Sequence, residues 1–77
     1  MTNNLIALMC ENEKAALIKT EIRRVEQKML AVGTDSPMFG YLTDELRYFT
    51  DKLERHESYI EYLVNEINKE YGKGETQ

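Results

Sequence analysis

The chain has one internal break, the segment Gly33-Thr34-Asp35-Ser36-Pro37. Gly33 suits the C′ position after a helix, because glycine adopts the left-handed conformation without a steric penalty. Ser36 followed by Pro37 is typical of the N-cap and the first position of a new helix. A connection this short makes the two flanking helices antiparallel neighbours.

Apolar side chains recur at alternating spacings of three and four on both sides of that break. Before it, the repeating residues are Ala15, Ile18, Ile22, Val25, Met29 and Val32. After it, they are Phe39, Leu42, Leu46, Phe49, Leu53, His56, Ile60, Leu63 and Ile67. A period of 3.5 is that of a coiled-coil seam. The sequence therefore predicts an all-α fold, an antiparallel two-helix hairpin with coiled-coil-like packing.

The predicted boundaries are a helix over about 4–32, a turn at 33–36 and a helix over 37–71, within one domain of 1–72. Gly72 is expected to end the second helix. The polar tail, residues 73–77, is expected to be disordered.

The N-terminal part of the first helix has two interpretations. Leu5, Leu8 and Met9 have helical spacing, and Asn4 can cap them. Glu11, however, falls where the seam requires an apolar residue. Either one helix runs through from about residue 4, or a short helix bends near residues 11–14. A continuous or slightly kinked helix is favoured.

Composition limits how this chain stabilises itself. A domain of 77 residues buries a small fraction of its surface, so its own core is marginal. Cys10 is the only cysteine and His56 the only histidine, which excludes a disulfide and leaves no metal or cofactor site. Burial against a partner or self-association is then the expected source of stability.

Several classes of function are disfavoured. The N-terminus lacks the basic region of a signal peptide, and no segment is long enough to span a membrane, so a cytoplasmic location is expected. The net charge is −4, and no uncompensated basic patch exists for nucleic acid. Residues 1–36 are neutral, so the acidic excess lies in residues 37–77. No phosphate loop or nucleophile motif is present, and we expect no catalytic residues and no enzyme activity.

Two apolar stripes lie outside the seam. At about 100° per residue, Tyr41, Tyr48 and Tyr59 fall within about 20° of one another, with Tyr62 about 60° to one side. Tyrosine is enriched at protein interfaces, so this stripe is interpreted as a contact surface or as a partly exposed cover over the hairpin edge. The first helix carries a weaker stripe of Ile6, Cys10, Leu17 and Ala31. That stripe is either a second contact surface or ordinary exposed apolar surface.

The polar seam residue and the lone thiol each have a functional and a structural interpretation. His56 is either a pH switch or register-setting group, or a histidine at the helix flank with one nitrogen in water. Cys10 is either reactive or, as is more common, a small hydrophobic residue.

The chain resembles the small needle-subunit co-chaperones of bacterial type III secretion systems, the YscE/SsaE-like group. The likeness runs from Met1-Thr2 and a leucine-bearing helix, through a turn with Pro37, to aromatic Phe39 and Tyr41. It continues over the terminal helix at Lys52-Leu53-Glu54, Glu57, Ile60, Leu63-Val64, Ile67 and Tyr71.

This resemblance implies a helical hairpin that binds a larger chaperone of TPR-like helical repeats and, through it, a needle subunit kept soluble before export. The contact residues do not transfer from a family motif. From the two stripes and the N-terminal leucines we predict that Leu5, Leu8, Leu17, Tyr41 and Tyr48 bind the partner.

Two alternatives remain. Residues 25–53, with Thr43-Asp44-Glu45-Leu46, look somewhat like the Spo0E-like sporulation phosphatases, which bind a response regulator. Arg47 stands where that family has an Asp after the Glu-Leu pair, which removes the required acid. The other alternative is a homodimeric four-helix bundle acting as a regulator or inhibitor, in which two hairpins bury each other's stripes.

Overall fold

The two predicted helices form and pack side by side. The computed structural model describes residues 3–75. Helix α1 spans Asn3–Val32 and helix α2 spans Met38–Glu75. They run antiparallel in a rod of 62 × 16 × 14 Å, and no strand occurs among these residues. The predicted all-α hairpin is confirmed.

The turn has the geometry that its residues favour. Gly33 has φ +79°, the left-handed conformation of a C′ glycine, and its N–H donates to the Met29 carbonyl at 3.0 Å. Ser36 caps α2, because its Oγ accepts from the Met38 N–H at 3.1 Å. Pro37 occupies the position between cap and helix, where a missing N–H costs nothing.

The core is a single seam between the helices. Its buried apolar residues are Ala15, Ile18, Val25, Leu42 and Leu63. Other predicted seam residues, including Leu46 and Leu53, are half-buried. Val32 remains 41% exposed, because α1 ends there and α2 begins only at Met38. Two helices enclose side chains on one side only, so few positions lose all contact with water.

The N-terminal ambiguity is resolved in favour of one helix. Glu11 does not bend α1 but lies in the seam, 8% exposed, with its Oε1 3.3 Å from Nδ1 of His56. A polar partner across the seam therefore accommodates the carboxylate without a break in the helix.

The predicted end of α2 is wrong. The helix continues through Gly72 to Glu75, so residues 73–75 of the predicted tail are helical. Gly72 does not take the left-handed conformation that ends a helix; among the described glycines only Gly33 has a positive φ. A glycine within a helix costs about 1 kcal/mol relative to alanine, and a long helix tolerates that cost near its end. Residues 76–77 lie outside the described chain.

Candidate functional site

Four tyrosines of α2 are largely exposed beside the seam. Tyr41 is 70% exposed, and Tyr48, Tyr59 and Tyr62 are between 44% and 56% exposed. The hairpin therefore covers only part of each ring. A half-exposed tyrosine keeps its hydroxyl in water and offers an apolar ring to a partner.

The apolar stripe of α1 lies on the same side of the hairpin. Lys28 and Val32 of α1 line one groove with Tyr41 and Glu45 of α2, and Ala31 also lines it. Leu17, 69% exposed, precedes Ala31 by nearly four helical turns and so shares its side of α1. Helical spacing adds Ile6 and Cys10 to this side, and both are exposed. We call the combined surface, made by Ile6, Cys10, Leu17, Ala31, Tyr41, Tyr48 and Tyr59, the tyrosine face.

Local contacts hold some of these rings in place. Tyr48 packs edge-to-face on Phe49 with ring centroids 5.3 Å apart, and Lys52 Nζ lies 5.9 Å from the Tyr48 centroid. Tyr59 and Tyr62 stack with centroids 6.1 Å apart. Rings that are already ordered lose little side-chain entropy when a partner covers them.

The five predicted partner-binding residues do not form one surface. Leu17, Tyr41 and Tyr48 share the tyrosine face. Leu5 and Leu8 are half-buried on the other side of the seam, on the α1 stripe that continues to Asn12 and Ala16. Leu5 and Leu8 therefore contribute more to the hairpin's own packing than the three residues of the tyrosine face.

The opposite face carries a smaller apolar area near the turn. Met29, Leu30, Phe39 and Leu46 line a groove there with Glu26 at its edge. Leu30 is 85% exposed, the highest value among the exposed large apolar residues of the described chain. Sequence inspection missed Leu30, because it belongs to neither the seam nor a stripe.

Glu11 and His56 form a polar pair within the apolar seam. An ionised carboxylate only accepts hydrogen bonds, so the 3.3 Å contact is a hydrogen bond in the tautomer of His56 that carries a proton on Nδ1. Glu11 Oε2 is buried without a hydrogen-bond partner, although Lys14 Nζ lies 3.6 Å away. The sequence placed both residues on the seam but did not pair them. Their common seam position was the only signal in the sequence, and it does not give the axial offset that brings the two side chains together.

Metal-ligating side chains do not cluster in the part of the chain whose side chains the structure describes. No group of three or more His, Cys, Asp or Glu side chains between residues 3 and 72 is placed to hold a metal ion. Cys10 is exposed and unpaired. Neither helix contains an apolar stretch of the length needed to cross a membrane, over the residues described.

Comparison with known proteins gives no match: no family model, no curated protein and no solved structure is similar to this chain at a significant level.

Proposed function

We propose that this chain is a small helical protein-binding subunit that docks its tyrosine face on helices of a larger protein and stabilises that protein. The observation that supports this function best is the exposure of Leu17, Tyr41 and Tyr48 on one side of a rod with a single seam. These side chains contribute little to the hairpin's own core, so covering them is favourable for a complex.

Docking of this kind stabilises both proteins by mass action. A hairpin that binds only the folded form of its partner lowers the free energy of that form. A few buried anchors, among which tyrosine is enriched, supply most of the binding free energy in typical interfaces, and the surrounding contacts exclude water. The tyrosine face offers such anchors along much of α2.

The resemblance to type III secretion co-chaperones gives the proposal a specific form. The partner is then a cytoplasmic chaperone built from TPR-like helical repeats, which holds a needle subunit before export. The acidic excess of residues 37–77 favours a neutral or basic docking surface on that chaperone. A free thiol at Cys10 is compatible with a reducing compartment.

Site-specific photo-crosslinking in the producing cells tests the binding face. A photoreactive residue replaces Tyr41, and a matched control replaces the exposed Ser58, which is on the side of α2 away from the seam. We expect position 41 to give a defined crosslinked product with a second, different protein, distinguished by mass from a crosslink between two copies of this chain, and position 58 to give little. Equal products from both positions, or none from position 41, would overturn the proposal.

Purified components test the energetic part. With the crosslinked protein as ligand, Tyr41→Ser combined with Tyr48→Ser should weaken binding at least tenfold, since each lost aromatic anchor typically costs about 1–2 kcal/mol or more. Circular dichroism should show unchanged helicity, because both rings are largely exposed. Leu30→Ser on the opposite face is the matched control and should bind normally. Equal loss from Leu30→Ser would contradict the assignment of the face.

A further inference from the structure

We infer that a second copy of this chain covers the tyrosine face when no other partner is bound. The two hairpins stack face to face with their turns at the same end, so that α1 of each copy lies over α2 of the other. The two-fold axis runs along the length of the rod. This inference rests on the proposed function, because it uses the same face.

The exposed area supports a covered face. The chain exposes 5936 Å², whereas a compact monomer of 9.0 kDa is expected to expose about 4,900 Å². The excess of about 1,000 Å² belongs to the whole rod and is of the same order as the roughly 800 Å² that each partner buries in a standard interface. A rod of 62 × 16 × 14 Å offers a face of matching size.

The register of the hairpin determines which groups meet in the dimer. Two contacts join the helices, Asn4 with Glu70 at the open end and Glu11 with His56 further along, while Lys28 and Glu45 line one groove near the turn. They bracket the register without fixing it to the residue. Glu21 of α1 lies level with the segment 46–53 of α2, in which Lys52 is the charged residue on the tyrosine face. A two-fold axis along the rod keeps every level and exchanges the helices, so each α1 group meets the α2 group of its own level in the other copy.

Charges on the tyrosine face are complementary in this arrangement. Lys28 of one copy meets Glu45 of the other, and Glu21, which is already paired with Arg24 of its own helix at 3.1 Å, comes near Lys52. Within the hairpin, no ion pair on this face joins α1 to α2 among the side chains of residues 3–72. Lys14 comes near Arg55, a like-charge contact, but Lys14 already has Glu11 as a neighbour at 3.6 Å.

The reverse arrangement, with turns at opposite ends, is less favourable. It places α1 on α1 and α2 on α2. Glu45 then meets Glu66, and Lys52 meets Arg55, while only Lys14 meets a group of opposite charge, Glu21. Like charges at close range raise the free energy of an interface.

Side-chain size favours the same choice. The α1 stripe has small and aliphatic residues, among them Cys10 and Ala31, whereas the α2 stripe has large rings such as Tyr41 and Tyr59. With the turns together, the small residues Ala31 and Cys10 lie over Tyr41 and Tyr59, and Arg24 between them comes near Tyr48, so that no ring meets another ring across the interface. With the turns apart, rings meet rings on one side and small residues leave a gap on the other, which costs packing free energy.

Spin-label distances distinguish the arrangements. Thr34, exposed in the turn, is changed to Cys in a Cys10→Ser background and labelled. We expect an intermolecular distance below about 30 Å, because face-to-face helices lie about 10 Å apart. A distance close to the 62 Å length of the hairpin would overturn the arrangement. A monomer, with no intermolecular signal up to millimolar protein, would overturn the dimer.

Charge reversal gives a second test, read as the dimer dissociation constant by sedimentation. The two-fold axis makes two equivalent contacts between Lys28 and Glu45, and Glu45→Lys removes both. This variant should weaken the dimer about tenfold, and adding Lys28→Glu to the same chain should restore the dimer. The reverse arrangement expects the opposite sign, since Glu45→Lys would remove a repulsion with Glu66. A tighter Glu45→Lys dimer therefore overturns the inference.

These results separate the dimer from the proposed function. If the natural chain is a monomer and the Tyr41→Ser, Tyr48→Ser double variant fails to bind the crosslinked protein, only the dimer is overturned. If the chain is a dimer with its turns together and the double variant binds that protein normally, only the proposed function is overturned.

Discussion

Glu11 is the residue whose environment departs most from the apolar seam around it. Its Oε1 reaches His56 across the seam, and its Oε2 has no hydrogen-bond partner although it is buried. Removing one member of such a pair leaves a buried polar group unsatisfied, whereas replacing both with apolar residues is often neutral or stabilising. The pair therefore acts mainly on the register of the two helices, because a shift would leave Glu11 buried without His56, and it adds little to the free energy of unfolding.

The first prediction concerns this pair. His56→Leu alone should lower the free energy of unfolding by about 1–3 kcal/mol, because Glu11 stays buried without its partner. Glu11→Leu together with His56→Leu should be at least as stable as the natural chain. Urea unfolding at one fixed protein concentration measures both. A double variant less stable than the natural chain would show that the pair is net stabilising.

The pairing could not be read from the sequence, although both positions could. Period-3.5 spacing assigns a residue to the seam, but it does not give the axial offset between helices. The offset depends on how the turn from Gly33 to Pro37 closes. The common side of the two stripes was accessible in principle, because helical wheels of antiparallel helices run in opposite senses. With each stripe assigned only to its own helix, Leu17 and Tyr41 stayed on separate surfaces.

At the scale of the elements, the two helices and their order followed from the sequence because local signals agree. The seam spacing, the glycine after α1 and the Ser-Pro start of α2 all point to the same hairpin. The end of α2 was less predictable. Gly72 has the same side chain as Gly33, but a glycine ends a helix only where it takes the left-handed conformation. That conformation depends on the course of the chain beyond the glycine, and the chain reverses direction only after Gly33.

The second prediction compares two glycines. Gly33→Ala should destabilise the hairpin by about 1–2 kcal/mol, because an L-residue is strained at φ +79°. Gly40→Ala should stabilise it by about 0.5–1 kcal/mol, because Gly40 is helical and a Cβ there meets nothing within 4 Å. Thermal melts followed by circular dichroism measure both changes. A destabilised Gly40→Ala variant would mean that another surface approaches Gly40 closely in the assembled state.

The whole molecule is a rod rather than a globule. Its Cα radius of gyration is 17.8 Å, against about 11–12 Å expected for a compact chain of this length. The excess surface follows from this shape, because a long thin hairpin has two broad faces and one seam, and it makes burial against a partner favourable. The identity of that partner is determined neither by helix periodicity nor by packing within one chain.

The third prediction concerns the shape of the assembly. If two copies stack face to face through the tyrosine face with their turns at the same end, the mass doubles while the longest dimension stays near 62 Å. Small-angle scattering combined with light scattering measures both quantities on one sample. Association through the groove at Leu30 near the turn would instead lengthen the particle to nearly twice that value. A doubled mass with doubled length would therefore place the contact at the turn.

The rod is only two helices thick, and this has a consequence for hydrogen exchange. No second layer protects the seam when the helices separate, so opening at one point exposes the side chains that hold the rest. The slowest amides of α1 and α2 should then share one opening free energy, that of complete unfolding. A protein bound to the tyrosine face would raise that common free energy. Protection would therefore appear along both helices and on both faces, well beyond the residues that the partner touches.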